Sequence, residues 1–361
     1  MASITFENLT KKYDDLTAVN DLNLSVNDGE FYVMLGPTGA GKTTSLRCLS
    51  GLDKDYQGSV YIGNSNVTDW SPAHRDVAMV FQQYSLYPHL TVRENLEFPL
   101  KSKIRMVPQD EIERRVNYAA ATLKIVDLLD RKTDKLSGGE MQRVSIGRAI
   151  VRKPKVFLMD EPLSSLDAKL REALRIELKR LQKELGATLI YVTHDQVEAM
   201  SMADRVGIIK EGQLIQSDTP HKVYNEPKNT FVAGFVGSPK INFFDGIVEN
   251  GRLTIKGSPH QFQLESEILE KIRGITGELI IGVRPEDIFL THEAQEGACE
   301  AKVYVIEHMG MENLISFHID PYHFKAATDS AFEVNANDKI YFRFAQEKLH
   351  FFDKNSEENL V

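Results

Sequence analysis

The chain has 361 residues, 42% hydrophobic and 26% charged, which suits two or three soluble domains with real cores. Two cysteines far apart, Cys48 and Cys299, exclude a disulfide framework and suit a reducing compartment. The net charge of −9 lies in the C-terminal third: residues 236–361 carry 12 Lys and Arg against 21 Asp and Glu, and residues 1–235 carry 31 of each, so nucleic acid is a poor partner for the C-terminal part. The opening MASITFENLTKKYDD has no apolar segment of the signal-peptide kind, and no apolar run approaches the roughly 18 residues that span a membrane. If the protein works at a membrane, other subunits must hold it there.

Residues 1–35 read as strands, ending in the apolar run FYVMLG. GPTGAGKTT follows, then the helical SLRCLSGL, which places Cys48 in the core. QGSVYIGNSNV reads as a hairpin. Residues 91–130 read as helical: Thr91 and Glu94 form a T-x-x-E capping box, and 110–130 carry a helical charge pattern. A second box, S-x-x-E, lies in LSGGE at 136–140, with Ser137 as N-cap of a helix that stops near Pro154. VFLMD and ATLIYVTHD lack polar alternation, as expected of strands covered on both faces. Between them a helix spans about 168–185, with Leu170, Leu174, Leu178, Leu181 and Leu185 on its apolar face and Gly186 as its stop. VGIIK and QLIQS flank Glu211-Gly212 as a hairpin. Strands alternating with helices indicate a parallel α/β sheet. Beyond 236 come an Asn250-Gly251 hairpin signal and the short strands ELIIGV, EAKVYVIE, NLISFHI and KIYFRF, the pattern of a small all-β barrel. DKNSEENLV reads as a frayed polar tail.

GPTGAGKTT, residues 36–44, matches G-x-x-x-x-G-K-[ST] between a strand and a helix, the context that motif requires. Gly36, Pro37, Thr38, Gly39, Ala40 and Gly41 form a loop whose backbone N–H groups can face phosphates. Lys42 would pair with the β- and γ-phosphates, Thr43 would ligate Mg²⁺, and Thr44, the next residue, is a further nucleotide-binding candidate. Asp160 and Glu161 end a buried strand, which favours a chemical role over a solvated acidic loop. Asp160 is placed to hold Mg²⁺ and Glu161 to act as general base for an attacking water. His194 either touches a γ-phosphate or caps the next helix. Gln82 follows a strand as a plain polar residue, and Tyr13 either stacks on a base or packs. Gly138 and Gly139 are not explained by capping, since Gly costs about 1 kcal/mol against Ala within a helix. Bare backbone at a helix N-terminus is also an anion site, and the capping and anion readings both remain open here.

The order GPTGAGKTT, Gln82, LSGGE, VFLMDEP, SSLD, His194 resembles the ATPase subunit of an ABC transporter, motif by motif over residues 4–235. Tyr13 matches the family's adenine-stacking position, Gln82 its Q-loop, residues 136–140 its signature, Ser165, Leu166 and Asp167 its D-loop, and His194 its switch histidine. More loosely, GFVGSPKINFF and GVRPEDI resemble the C-terminal regulatory domain of maltose-type sugar importer ATPases. The resemblance implies an α/β P-loop ATPase domain over 1–235, with a helical subdomain inserted at about 88–153. A small oligonucleotide/oligosaccharide-binding-like barrel follows over 236–361. It implies ATP and Mg²⁺ as cofactors, the metal held by Thr43, Gln82 and Asp160. It also implies a homodimer in which Ser137, Gly138 and Gly139 of one copy meet the γ-phosphate held by the other. Catalysis would fall to Lys42, Gln82, Glu161 and His194. The implied partners are two transmembrane permease subunits, reached through the region around Gln82 and residues 84–88, and indirectly an extracytoplasmic solute-binding protein. A regulatory protein at the C-terminal domain is a further implied partner, and nucleic acid is not one. The expected location is the cytoplasmic side of the inner membrane, as a peripheral subunit. GSPKINFF leans toward a sugar or sugar-like cargo; glycerol phosphate, polyamine, iron or an oxyanion is the alternative. The sequence departs from the family at Glu140, where Gln is usual, and a carboxylate there would repel a phosphate unless the capping box holds it back.

Overall fold

The computed structural model describes residues 2–102, 106–275 and 277–361. The chain divides into two compact units, Met1–Pro220 and His221–Val361. In the first, β1 (Ile4–Tyr13) and β2 (Leu16–Val26) form an antiparallel pair, and β3 (Phe31–Leu35) runs into the glycine-rich loop and α1 (Lys42–Ser50). The hairpin β4 (Gln57–Ile62) and β5 (Ser65–Asn66) joins β1 in a four-stranded sheet. β6 (Val77–Val80) leads to α2 (Val92–Glu97), α3 (Gln109–Thr122) and α4 (Gly138–Ile150). β7 (Val156–Asp160), α5 (Ala168–Leu185), β8 (Thr188–Thr193), α6 (Gln196–Met202) and the hairpin β9 (Arg205–Lys210) and β10 (Gln213–Asp218) complete the unit.

The central sheet has the order β10-β9-β3-β8-β7-β6, parallel except for β10. Every residue of β3, β7 and β8 is buried, which is why these strands carry no alternation in sequence. In such a sheet the carboxyl ends of the strands open onto the binding crevice. Those ends deliver Gly36 after β3, Gln82 after β6, Asp160 at the end of β7 and His194 after β8. Cys48 is fully buried as expected, and burial pushes its thiol up to about 12.

Both capping boxes form, at Thr91 with Glu94 and at Ser137 with Glu140. The helical reading of 91–130 is too continuous: α2 ends at Glu97, before Pro99, and α3 begins after Pro108. α3 stops at Thr122 because Lys124 turns left-handed at φ 55°, and only the short 3-10 turn Val126–Leu128 follows. Residues 103–105, inside that expected helical stretch, lie outside the described residues. In α5, Leu174, Leu178 and Leu181 are buried, while Leu170 and Leu185 are half-buried at its ends, and Gly186 closes it at φ 58°.

Helix α7 (Pro220–Asn225) starts at the last residue of the first unit and runs into the second, where α8 (Thr230–Phe235) follows. Two five-stranded antiparallel sheets follow. One joins β11 (Asn242–Glu249), β12 (Arg252–Ile255), β13 (Gln261–Gln263), β14 (Glu278–Val283) and β20 (His350–Asp353). The other joins β15 (Ile288–Thr291), β16 (Cys299–His308), β17 (Glu312–Ile319), β18 (Tyr322–Asp329) and β19 (Lys339–Phe344). Phe244, Ile281, Phe317, Phe324, Phe342 and Phe351 share one core, with α9 (Ser266–Lys271) contributing Ile268. Asn250 and Gly251 are left-handed, as the hairpin signal requires. Arg284 of GVRPEDI is buried; it donates to the carbonyls of Tyr224 and Val236 and lies 3.8 Å over the Tyr224 ring, so it ties α7 and α8 to the barrel.

The terminal DKNSEENLV is not frayed. Asp353 Oδ1 accepts from the N–H groups of Asn355 and Ser356, which turns the chain back. Thr230 N then donates to Glu357 O at 3.0 Å, and Asn359 N to Lys228 O at 2.8 Å. Polar composition misleads here because both backbone and side chains are paired: Thr230 Oγ1 also donates to Glu357 Oε2 at 2.6 Å, and Asn359 Nδ2 to Pro227 O at 2.8 Å.

Candidate active site

The glycine-rich loop curls around the N-terminus of α1, and Gly41 is left-handed at φ 96°. A Cβ on Gly41 would overlap the carbonyl oxygen of Ala18, so only glycine lets β2 lie this close. Gly212 N also donates to Ala40 O at 3.0 Å, which pins the loop to the β9–β10 turn. Lys42 is buried, and its Nζ donates to the carbonyls of Gly36 and Pro37, each at 2.9 Å. Burial lowers the pKa of this ammonium, and the nearby Glu161 and Asp160 carboxylates oppose that shift.

Thr43 Oγ1 donates to Asp160 Oδ1 at 2.9 Å. Burial raises the Asp160 pKa against the lowering effect of that hydrogen bond. The next residue, Glu161, is left-handed at φ 44°, a conformation rare for a side chain of this size, and its N–H is held by Val192 O of β8 at 2.9 Å. Two side chains from other strands converge on its Oε2: Gln82 Nε2 at 3.3 Å and His194 Nδ1 at 3.1 Å. His194 does not cap the next helix; Asp195 does, accepting from Val197 N and Glu198 N.

Tyr13, Thr38, Gly39, Ala40, Gly41, Lys42, Thr43, Thr44, Gln82, Glu161 and His194 line one cavity of about 660 Å³. Asp160 reaches it through Thr43, and Gly36 and Pro37 through their carbonyls to Lys42. Tyr13 stands at its edge, 40% exposed; its hydroxyl donates to Asp53 Oδ2 at 2.5 Å, and the Lys11 ammonium lies 4.7 Å from its ring centroid. The sequence reading missed Leu16, Thr17, Ala18 and Glu211, which complete the wall. The only available signal was the tightness that Gly41 and Gly212 demand of neighbouring backbone.

Ser137, Gly138 and Gly139 do not line this cavity. Their capping box is closed: Glu140 Oε2 accepts from Ser137 N at 2.7 Å and from Ser137 Oγ at 2.9 Å, with Arg131 3.9 Å from the other carboxylate oxygen. These hydrogen bonds hold the Glu140 pKa down. Glu140→Gln keeps the fold-back geometry, so ATP turnover is expected to stay within about tenfold of wild type, roughly 1.4 kcal/mol. A steady-state ATPase assay checks this, and a larger change would place the carboxylate against phosphate.

Gly139 has a packing neighbour that sequence could not supply: a Cβ there would overlap Leu170 Cδ2 of α5. Leu170 Cδ2 is the far end of a flexible, half-buried side chain that can turn aside, so the overlap is about balanced by the roughly 1 kcal/mol that Ala gains in helix propensity. Gly139→Ala is expected to leave Tm within about 2 °C of wild type in thermal unfolding. In a Leu170→Ala background the same change is expected to be neutral or stabilising; an equal loss in both backgrounds would assign the glycine elsewhere.

The family model "ABC transporter" matches residues 19–164, and "MalK OB fold domain" matches residues 237–288. The trehalose/maltose import ATP-binding protein MalK of Thermococcus litoralis is 46% identical over 98% of both chains. The osmoprotective compounds uptake ATP-binding protein GgtA of a Synechocystis species is 47% identical over 99% of both. Among solved structures, the dimeric post-hydrolysis state of the ATP-binding cassette MJ0796 bound to ADP and Pi aligns with TM-score 0.55 and 32% identity, covering 60% of this chain and 98% of that one. With the phosphate-loop geometry, the convergent Glu161 and matches along its whole length, the chain belongs to the ATP-binding subunits of ABC transporters, in the branch that carries a MalK-type OB-fold domain.

Proposed function

We propose that the protein hydrolyses ATP to energise uptake of a sugar or sugar-like solute through partner permeases. The observation that carries this reading is the single cavity: residues from the loop after β3, the ends of β6, β7 and β8, and Tyr13 meet there, while the signature turn lies outside it. Such a cavity lacks the signature half of an ATP site, so a second copy supplies it. Ser137 and the backbone of Gly138 and Gly139 then face the γ-phosphate bound by the partner.

Within the cavity the loop N–H groups and Lys42 bind the phosphates, and Tyr13 takes the adenine on its exposed edge. The hard oxygens of Thr43, Asp160 and Gln82 fit Mg²⁺, which supplies charge neutralisation at the phosphates. Among the described residues no group of three or more His, Cys, Asp or Glu is placed to hold a metal, as suits a cation whose remaining ligands are phosphate and water. Glu161 takes the proton of the water as its oxygen attacks the γ-phosphorus and the bond to ADP breaks. Gln82 and His194 hold the Glu161 carboxylate in place through Oε2.

Among the described residues no helix is long and apolar enough to cross a membrane. A peripheral seat against permease subunits fits a cleft of about 310 Å³ lined by Met79, Phe81, Tyr87, Phe98 and Ala149, beside residues 84–88. The named cargoes of relatives, trehalose/maltose and osmoprotective compounds, and sn-glycerol-3-phosphate for one that is 43% identical, favour polyhydroxylated solutes. Uptake of labelled disaccharide and of glycerol 3-phosphate by a strain lacking this chain tests the cargo. Loss of disaccharide uptake is the expected result, and loss of glycerol 3-phosphate uptake alone would replace the sugar reading.

A further inference from the structure

Tyr84 lies two residues beyond Gln82, half-buried, and does not line the nucleotide cavity. Its hydroxyl is 3.0 Å from Ser165 Oγ, four residues after Glu161. The same oxygen stands 3.0 Å from where a Cβ on Gly138 would be, with the ring carbon behind it at 3.9 Å, so the phenol end rests on the bare Cα of the first signature glycine. A Cβ at 138 would make the phenol oxygen give by a few tenths of an ångström. Further along α4, Arg148 Nη1 donates to Ser85 O at 2.7 Å and its guanidinium lies 5.3 Å from the Tyr87 ring centroid. The loop after Gln82 is therefore gripped by the signature helix at two levels, and by the segment after Glu161 at one.

We propose that Tyr84 is a positioning residue for ATP hydrolysis: its hydroxyl fixes the signature turn and Ser165 to the loop that carries Gln82, with the bare Gly138 beneath it. This rests on the composite-site reading above. Gln82 touches Glu161 inside the cavity, and the signature turn faces outward toward a partner copy. One hydroxyl thus sets the spacing between the half-site a subunit uses and the half-site it lends. Removing it takes away the link nearest the signature turn, while the Arg148 contacts to Ser85 and Tyr87 remain, and alters no group that touches nucleotide.

The test uses the full-length chain, assembled with its permease subunits where turnover needs them, carrying Tyr84→Phe, Ser165→Ala or both. One neutral hydrogen bond corresponds to a drop in kcat of about fivefold for each single variant. The KM for ATP and the Tm are expected to stay near wild type, and the double variant is expected to be no slower than the worse single. Tyr84→Phe at the wild-type rate, a double variant at the product of the two singles, or a Tm loss large enough to account for the rate would each overturn the proposal. Glu161→Gln run alongside separates the two levels. If that variant turns over within about fivefold of wild type, the site reading itself fails; if it is slowed by the expected roughly 10²-fold or more while Tyr84→Phe is normal, only the role of Tyr84 fails.

Discussion

Glu161→Gln is expected to lower ATP turnover by about 10²–10⁴-fold while leaving ATP binding intact. The amide keeps the size of the carboxylate and can still meet Gln82 Nε2 and His194 through its oxygen, so the cavity keeps its shape. It lacks only the capacity to accept a proton at neutral pH. The phosphate-binding elements, the loop N–H groups and Lys42, sit on α1 and the turn before it, and do not depend on that charge. Lys42 even loses an influence that holds its proton on, since Glu161 opposes the lowering of its pKa by burial. Single-turnover hydrolysis with a parallel nucleotide-binding titration checks both halves. Turnover within about fivefold of wild type would remove Glu161 from the base role.

The second large effect concerns where the signature acts. Lys42→Ala removes the buried ammonium of one half-site, and Ser137→Arg plugs the other with a bulky cation. Each variant alone is expected to be inactive. Mixed in equal amounts, random pairing makes half of the dimers hybrid, and each hybrid keeps one intact composite site. Recovered activity is then expected at up to about one quarter of wild type. The assay includes the permease subunits if they are needed for turnover, and confirms the hybrids by differential tagging. Hybrids without activity would mean that both sites must fire together or that the signature serves its own chain.

Much of the active site was legible because its chemistry resides in consecutive residues. The run from Gly36 to Thr44 needs only a strand before it and a helix after it, and both are local. The capping boxes at Thr91 and Ser137 close over three residues, so their sequence reading survives folding intact. The buried strands announced themselves by unbroken apolar runs, and the Asn250-Gly251 turn by a residue pair that tolerates left-handed backbone, which both residues adopt. What sequence left ambiguous were single residues whose role depends on distant neighbours. His194 could have been a helix cap until β7 and β8, adjacent in the sheet, brought it to Glu161. Gln82 was a polar residue after a strand until β6, on the far side of β7, carried it to the same oxygen.

The glycines of LSGGE show where that division falls. Their place at a capped helix N-terminus is written in five consecutive residues, because a helix end is satisfied by side chains within one turn. What lies against them, Tyr84 and Leu170, approaches from other parts of the chain, and no pattern within the motif encodes that. The same holds for the C-terminal tail, whose polar composition specifies an Asx-type turn but not the segment around Lys228 and Thr230 that it pairs with. Backbone conformation and hydrogen bonding over a few residues depend on residue type alone. Close packing and the convergence of separate segments depend on which surfaces the sheet order brings together.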